Sequence, residues 1–321
     1  MERVVDPATK VSPLRKQSEW IGFGIMAAVL LIAPFVTYPM FLMQCLCFAL
    51  FACAFNLLIG YVGLLSFGHA LYFGWASYLA AYSAKVWGFP PELAILTGTL
   101  TATVFGFIAG SLAIRRQGIY FAMITLALAQ MMFFFAVQVK FTGGEDGIQS
   151  VPRGHLLGFI DLRNETAMYL FVLAVFLGGW LFIRRIIHSP FGEVLKAIRE
   201  NEPRAISLGY KTDRYKLLAF VLSATLAGLA GSTKALVVQI ASLTDVNWPM
   251  SGEVVLMSLV GGLGTLFGPV IGAFVIISMQ YKLASLGEWV LVIQGVIFVA
   301  CVLLFRRGII GEIANYFRIK L

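Results

Sequence analysis

SPFGEVLKAIRENEPRAISLGY, residues Ser189 to Tyr210, sets six charged side chains between two long apolar runs. Ser189 is suited to cap a helix that opens with Pro190, a position where the missing N–H would have had no partner. Phe191, Val194, Leu195 and Ile198 then recur at i, i+3, i+4 and i+7 as an apolar stripe, and Glu193, Lys196, Arg199 and Glu200 fill the remaining surface. Pro203 ends this short amphipathic helix and can open a second turn through Ala205 and Leu208, with Gly209 as its stop. Such a helix either lies along a membrane surface or seats in a protein groove. Its mixed signs favour the groove, because anionic lipid selects a mostly basic polar face.

The flanking runs set the class. Of 321 residues, 60% are hydrophobic and 12% charged, against roughly 25% charged in soluble domains. Abundant Phe and Gly, 27 and 32 residues, fit helices that pack closely in lipid and break locally. The net charge of +8 does not imply a nucleic-acid partner here, because the basic residues lie between apolar runs and the bilayer is the partner. Cys45, Cys47, Cys53 and Cys301 fall in apolar runs without a CxxC pair or a nearby His, and read as packing residues; no metal site is expected. The first apolar run starts near Trp20, behind a polar leader with no small-x-small cleavage site, and reads as a retained helix.

Crossing ~30 Å of hydrocarbon takes about 20 apolar residues. Such runs lie near 20–36, 40–59, 64–84, 92–114, 118–139, 166–183, 217–240 and 289–305. The expected fold is therefore an all-α, polytopic transmembrane bundle of eight full spans, with residues 251–280 as an additional re-entrant or paired half-helix segment, eight to ten in all. As one helix that segment would reach about 45 Å, too long for one span and too short for two, and its middle, GGLGTLFGP, is a poor helix. Lys and Arg concentrate at residues 184–216, at Arg115 and Arg116, and at both termini, which places all four regions in the cytoplasm. A single crossing by 251–280 would strand the basic tail outside, so the segment should enter and leave on one side. The domain expectation is a cytoplasmic leader 1–19, a transmembrane domain 20–308 containing the loop 184–216, and a cytoplasmic tail 309–321.

Polar groups at membrane depth are candidates for a translocation pathway. Ser66, His69, Thr125, Gln130 and Glu253 form that set, with Lys234 and Gln239 beside them; Lys234 and Glu253 can also be read as snorkelling groups near helix ends. GYVGLLSFGHALYFGWASY (Gly60 to Tyr78) and GGLGTLFGPVIGA (Gly261 to Ala273) share a glycine-rich, interrupted texture. Gly63, Gly68, Gly264, Gly268 and Gly272 are the packing or re-entrant glycines, either a small-xxx-small ridge or related halves of one pathway. FTGGEDGIQSVPR (Phe141 to Arg153) reads as a solvated outer loop without the ligand spacing of a calcium loop. No GxxxxGK[ST], HExxH or GxSxG occurs, so neither ATP hydrolysis nor a recognisable catalytic set is expected in this chain.

Ser189 to Gly231, together with NLLIGYVGLLSFGHALYFG, GIYFAMITLALAQ, FTGGEDGI and GGLGTLFGPVIGA in the same order, resembles permeases of the branched-chain amino acid ABC importer family, of the LivM type. The match runs from about Phe51 to Gly308. The resemblance implies a bacterial inner-membrane permease with both termini cytoplasmic. It further implies a homologous second permease, two ATPase subunits that bind ATP and Mg, and a periplasmic binding protein. It also implies that the loop helix seats in a cleft of the ATPase. Gly192, Ala197, Glu200, Leu208 and Gly209 fall on the loop motif, Lys196 and Arg199 lie beside them, and Glu193 stands where a small-headed or basic residue is common. Branched-chain amino acids are the default cargo; related permeases handle urea, amides or aromatic acids. A stand-alone secondary transporter or channel is the alternative.

Overall fold

The computed structural model describes residues 13–283 and, beyond them, residues 289, 292, 293, 295, 296, 299, 308 and 311. The helices are α1 (Pro13–Ile32), α2 (Pro39–Tyr61), α3 (His69–Lys85), α4 (Pro91–Ala113), α5 (Ile119–Gln138), α6 (Glu165–Ile187), α7 (Pro190–Glu200), α8 (Glu202–Ser207), α9 (Thr212–Val238), α10 (Leu243–Val246), α11 (Trp248–Gly261) and α12 (Gly268–Leu283). Four two-residue strands, β1 (Ile148–Gln149), β2 (His155–Leu156), β3 (Ile160–Asp161) and β4 (Ile240–Ala241), pair antiparallel as β1 with β4 and β2 with β3. Among the described residues α2, α4, α5, α6 and α9 are long and apolar enough to cross a membrane. The protein is a polytopic helical membrane protein.

Helix α2 is the central post, buried along nearly its whole length. With no hydrophobic effect to separate lipid from core, small residues decide which helices approach closely. A Cβ on Gly231 of α9 would stand 2.0 Å from the Phe73 carbonyl oxygen of α3, and one on Gly228 would stand 2.2 Å from Ala102 Cβ of α4. These glycines let α3, α4 and α9 pack in direct contact, while α4 and α5 leave long apolar faces exposed.

The two ends of the bundle follow from contacts. At the α7 end lie Glu19 of α1, which pairs with Arg184 and His188, and Gly60 of α2, whose carbonyl accepts from Arg199. At the far end lie the β1–β4 and β2–β3 pairs, the end of α3, where Lys85 Nζ donates to the Gln149 carbonyl at 2.8 Å, and the start of α6.

Two expectations change, and the first helix begins ahead of the apolar run. The span placed at 64–84 is not one helix: residues 62–68 run back into the bundle as irregular chain, Gly63 takes φ +83°, and helix begins only at His69. The first helix starts at Pro13, so the end of the 1–19 leader is helical. Lys234, read as snorkelling, is instead buried and paired with Asp245. The span expected at 289–305 lies mostly outside the described residues, those described within it being helical.

Residues 251–280 fold as a helical hairpin. Helix α11 turns at residues 262–267, where Gly262 and Gly264 take φ +121° and +75°, and α12 returns against it. A Cβ on Gly272 would stand 1.8 Å from the Met257 carbonyl oxygen. The turn lies at the α7 end beside Gly60, and α12 climbs to the far end, where Tyr281 packs on Phe41 near the start of α2 at 5.3 Å between rings. Gly308 then lies against Gly262, back at the α7 end. The hairpin thus restores the parity that the charge pattern required.

Candidate functional site

The charged insert folds as two short helices with a bend between them. Ser189 Oγ accepts from Gly192 N–H at 3.3 Å and Asn201 Oδ1 accepts from Arg204 N–H at 3.0 Å, so each helix is capped by its own preceding residue. Gly192, Leu195 and Ile198 face the bundle and are buried. A Cβ on Gly192 would stand 2.3 Å from the Ile187 carbonyl oxygen, so only glycine lets α7 start directly against the last turn of α6. The apolar stripe of α7 is therefore spent on the protein's own bundle. Outward face Glu193, bonded to Lys196 at 2.8 Å, with Ala197 and Glu200, followed by Ile206, Leu208 and Gly209. Ile206 and Leu208 are 55% and 68% exposed.

Arg199 links this insert to the interior. Its guanidinium donates to the Gly60 carbonyl in the last turn of α2, a helix C-terminus where a cation is favourable. The same side chain lies against Gly63 and Gly264, so one arginine touches both chain breaks. Asn56 ties those breaks together: its Nδ2 donates to the Thr265 carbonyl and its Oδ1 accepts from Gly264 N–H, both at 2.9 Å.

Deeper in, α3 begins inside the bundle and its first N–H groups need partners away from water. Side-chain hydroxyls supply partners for Ala70 and for the two N–H groups just before the helix. Ser66 Oγ accepts from Gly68 N–H at 3.2 Å, Thr125 Oγ1 of α5 from Phe67 N–H at 3.1 Å, and Ser251 Oγ of α11 from Ala70 N–H at 2.9 Å. His69 Nε2 lies 2.8 Å from Ser223 Oγ of α9, which itself donates to the Ala54 carbonyl. Nε2 therefore carries the proton, and the buried Nδ1 has no hydrogen-bond partner among the described residues. Helix α11 starts at Trp248, half exposed on the bundle surface, just after the Asp245–Val246 backbone that packs on Gly74 of α3, and becomes buried from Ser251. The first turns of α3 and α11 thus meet beside His69.

Ser66, His69 and Thr125 are brought together by this arrangement. Gln130, whose Oε1 has no hydrogen-bond partner among the described residues, and Glu253, bonded to Gln280, are partly buried on α5 and α11. Gly68 passes the Thr125 carbonyl closely, Gly268 opens α12 and Gly272 packs on α11, whereas Gly264 lies in the turn and belongs to no helical ridge. No group of His, Cys, Asp and Glu that could hold a metal occurs among the described residues.

The family described as branched-chain amino acid transport system / permease component matches residues 38–302. The chain belongs to this permease family. It is 24% identical over 288 residues, 83% of this chain and 68% of the relative, to the high-affinity branched-chain amino acid transport system permease protein LivM of Escherichia coli (strain K12). To the ribose import permease protein RbsC of Bacillus subtilis (strain 168) it is 28% identical over 242 residues, 68% of this chain and 70% of the relative. The autoinducer 2 import system permease protein LsrC of Klebsiella pneumoniae subsp. pneumoniae is 28% identical over 168 residues, 49% of this chain and 46% of the relative. No solved structure matches.

In this permease, reading the sequence missed Asn56, Ser223, Ser251 and Asp245. Asn56 and Asp245 carried a signal, an amide and a carboxylate within or beside apolar runs. The two serines carried none, since Ser is common in packed membrane helices and only its partner reveals its use.

Proposed function

We propose that this chain is the permease subunit of an ATP-binding-cassette importer in a bacterial inner membrane, with residues 189–210 on the cytoplasmic side as the docking element for an ATPase. The observation that carries this reading is the α7–α8 pair at the basic end. Its charges and the apolar Ile206 and Leu208 face outward, while Arg199 on its inner side bonds to the end of α2 beside both chain breaks. A partner that closes on this outer surface on binding ATP displaces α7. Through Arg199 and Asn56 the displacement reaches residues 62–68 and the 262–267 turn, two non-helical segments and hence parts able to rearrange at least cost in broken helical hydrogen bonds.

The complete importer comprises this chain, a homologous second permease, two ATPase subunits that bind ATP and Mg, and a periplasmic binding protein that delivers cargo. Substrate passes between the two permeases. Branched-chain amino acids are the first cargo to test, with urea, amides and aromatic acids next, because the binding protein does most of the selecting. Vesicles reconstituted with all subunits should take up substrate on ATP addition. Glu200→Lys or deletion of 190–209 should abolish that uptake. Uptake unaffected by either change, or driven by an ion gradient through the purified chain alone, rejects the reading in favour of a stand-alone transporter.

A further inference from the structure

The β2–β3 hairpin at the far end is fixed at its base and bare at its tip. Leu162 and Val151 are fully buried on either side of it, and Arg153 Nη2 donates to the Val237 carbonyl at 2.8 Å. Between these anchors Leu157 is 67% exposed and Phe159 92% exposed. Three residues, Leu157 to Phe159, lie between the paired Leu156 and Ile160; Leu157 and Gly158 take positive φ, +51° and +78°, and Phe159 N–H donates to the Leu156 carbonyl at 3.1 Å. Turn chemistry alone selects Asn, Asp or Gly at the first of these positions, and a leucine there is strained. An apolar side chain in a costly conformation, pointing away from its own protein, calls for an apolar partner.

The surroundings say which one. Leu157 N–H donates to Glu92 Oε1 at 3.3 Å, and Gly154 packs on Pro91, so the hairpin sits on the first turn of α4. From that turn Leu93, Leu96, Leu100 and Val104 continue down α4 as exposed apolar residues three and four apart, a lipid-facing stripe. The turn before α4 exposes Trp87, whose amphipathic ring belongs to the type that settles at headgroup level, with Phe89 beside it. The hairpin tip is continuous with that stripe and level with that belt.

We propose that Leu157 and Phe159 insert into the headgroup region of the far-end leaflet and anchor the outer loop to the bilayer. The test uses full-length chain in proteoliposomes with the four native cysteines changed to alanine. A nitroxide is placed in turn on Leu157→Cys, Phe159→Cys, Glu145→Cys as a water reference and Leu100→Cys as a lipid reference, each variant first shown to keep the parent's thermal transition. Collision of the spin with oxygen and with a water-soluble nickel chelate then reports depth. At 157 and 159 the oxygen-to-nickel ratio should exceed that at 145 several-fold and fall below that at 100. A ratio at either position equal to that at 145 overturns the proposal, as does protection from both reagents, which would mark a protein-covered face.

Discussion

Lys234 and Asp245 show how one pair of residues can hold two segments together inside a membrane. The ammonium lies 2.8 and 2.7 Å from the two carboxylate oxygens, and both side chains are nearly excluded from solvent. Breaking such a pair from one side leaves an uncompensated buried charge, at a cost of about 3–5 kcal/mol, whereas replacing both partners with apolar groups is often close to neutral. Lys234→Met or Asp245→Leu alone should therefore lower the thermal transition in detergent sharply, and the double variant should recover most of it. At Gly272 the constraint is steric. Its Cβ would fall 1.8 Å from the Met257 carbonyl oxygen, which is backbone and cannot rotate away. Gly272→Val should cost at least about 1–3 kcal/mol from overpacking and appear as loss of folded, monodisperse protein on size-exclusion chromatography. Of these residues, Gly272 could be read from its spacing; the Lys234 partner could not, because a buried and a snorkelling lysine have the same local sequence and differ only in what lies opposite.

Among the elements, α3 and α7 are each set by groups outside themselves. Helix α3 opens inside the bundle on hydroxyls from Ser66, Thr125 and Ser251. Ser251→Ala leaves the Ala70 N–H buried and unpaired and should destabilise the protein by about 1–3 kcal/mol, with Ser251→Thr recovering much of this; urea or thermal unfolding measures both. Helix α7 was legible in outline, from Ser189 and Pro190 at its start to the stripe through Ile198. Its interior half, however, is the half that looked available to a partner. Leu195 and Ile198 are buried against the bundle, and the exposed apolar surface comes from Ile206 and Leu208 after the bend. A stripe in a sequence says that a face will be covered and leaves open by whom. Ser189→Ala should cost about 1 kcal/mol through the lost cap. Gly192→Ala should displace α7 from the Ile187 carbonyl and reduce ATP-driven uptake in the reconstituted importer more than it reduces thermal stability.

For the molecule as a whole, the arrangement of ends makes a direct prediction. Glu145 lies in the far-end loop and Lys211 at the α7 end, both exposed. Single cysteines at these positions should react with an impermeant maleimide from opposite faces of sealed vesicles, with Lys211→Cys on the side the charge distribution assigns to the cytoplasm. Labelling of both from one face would refute the arrangement. The membrane class, most spans, the clustering of Lys and Arg between spans and the need for 251–280 to turn back were all present in the sequence. Each follows from local quantities, apolar run length and the count of Lys and Arg, that need no partner to evaluate. Only the tertiary structure decided that residues 62–68 stay non-helical within the bundle and which distant groups, Asn56 on Thr265 and Gly264, Arg199 on Gly60 and Asp245 on Lys234, meet there. A break in a membrane helix persists only where other segments supply the hydrogen bonds that water cannot, and those segments lie scores of residues away along the chain.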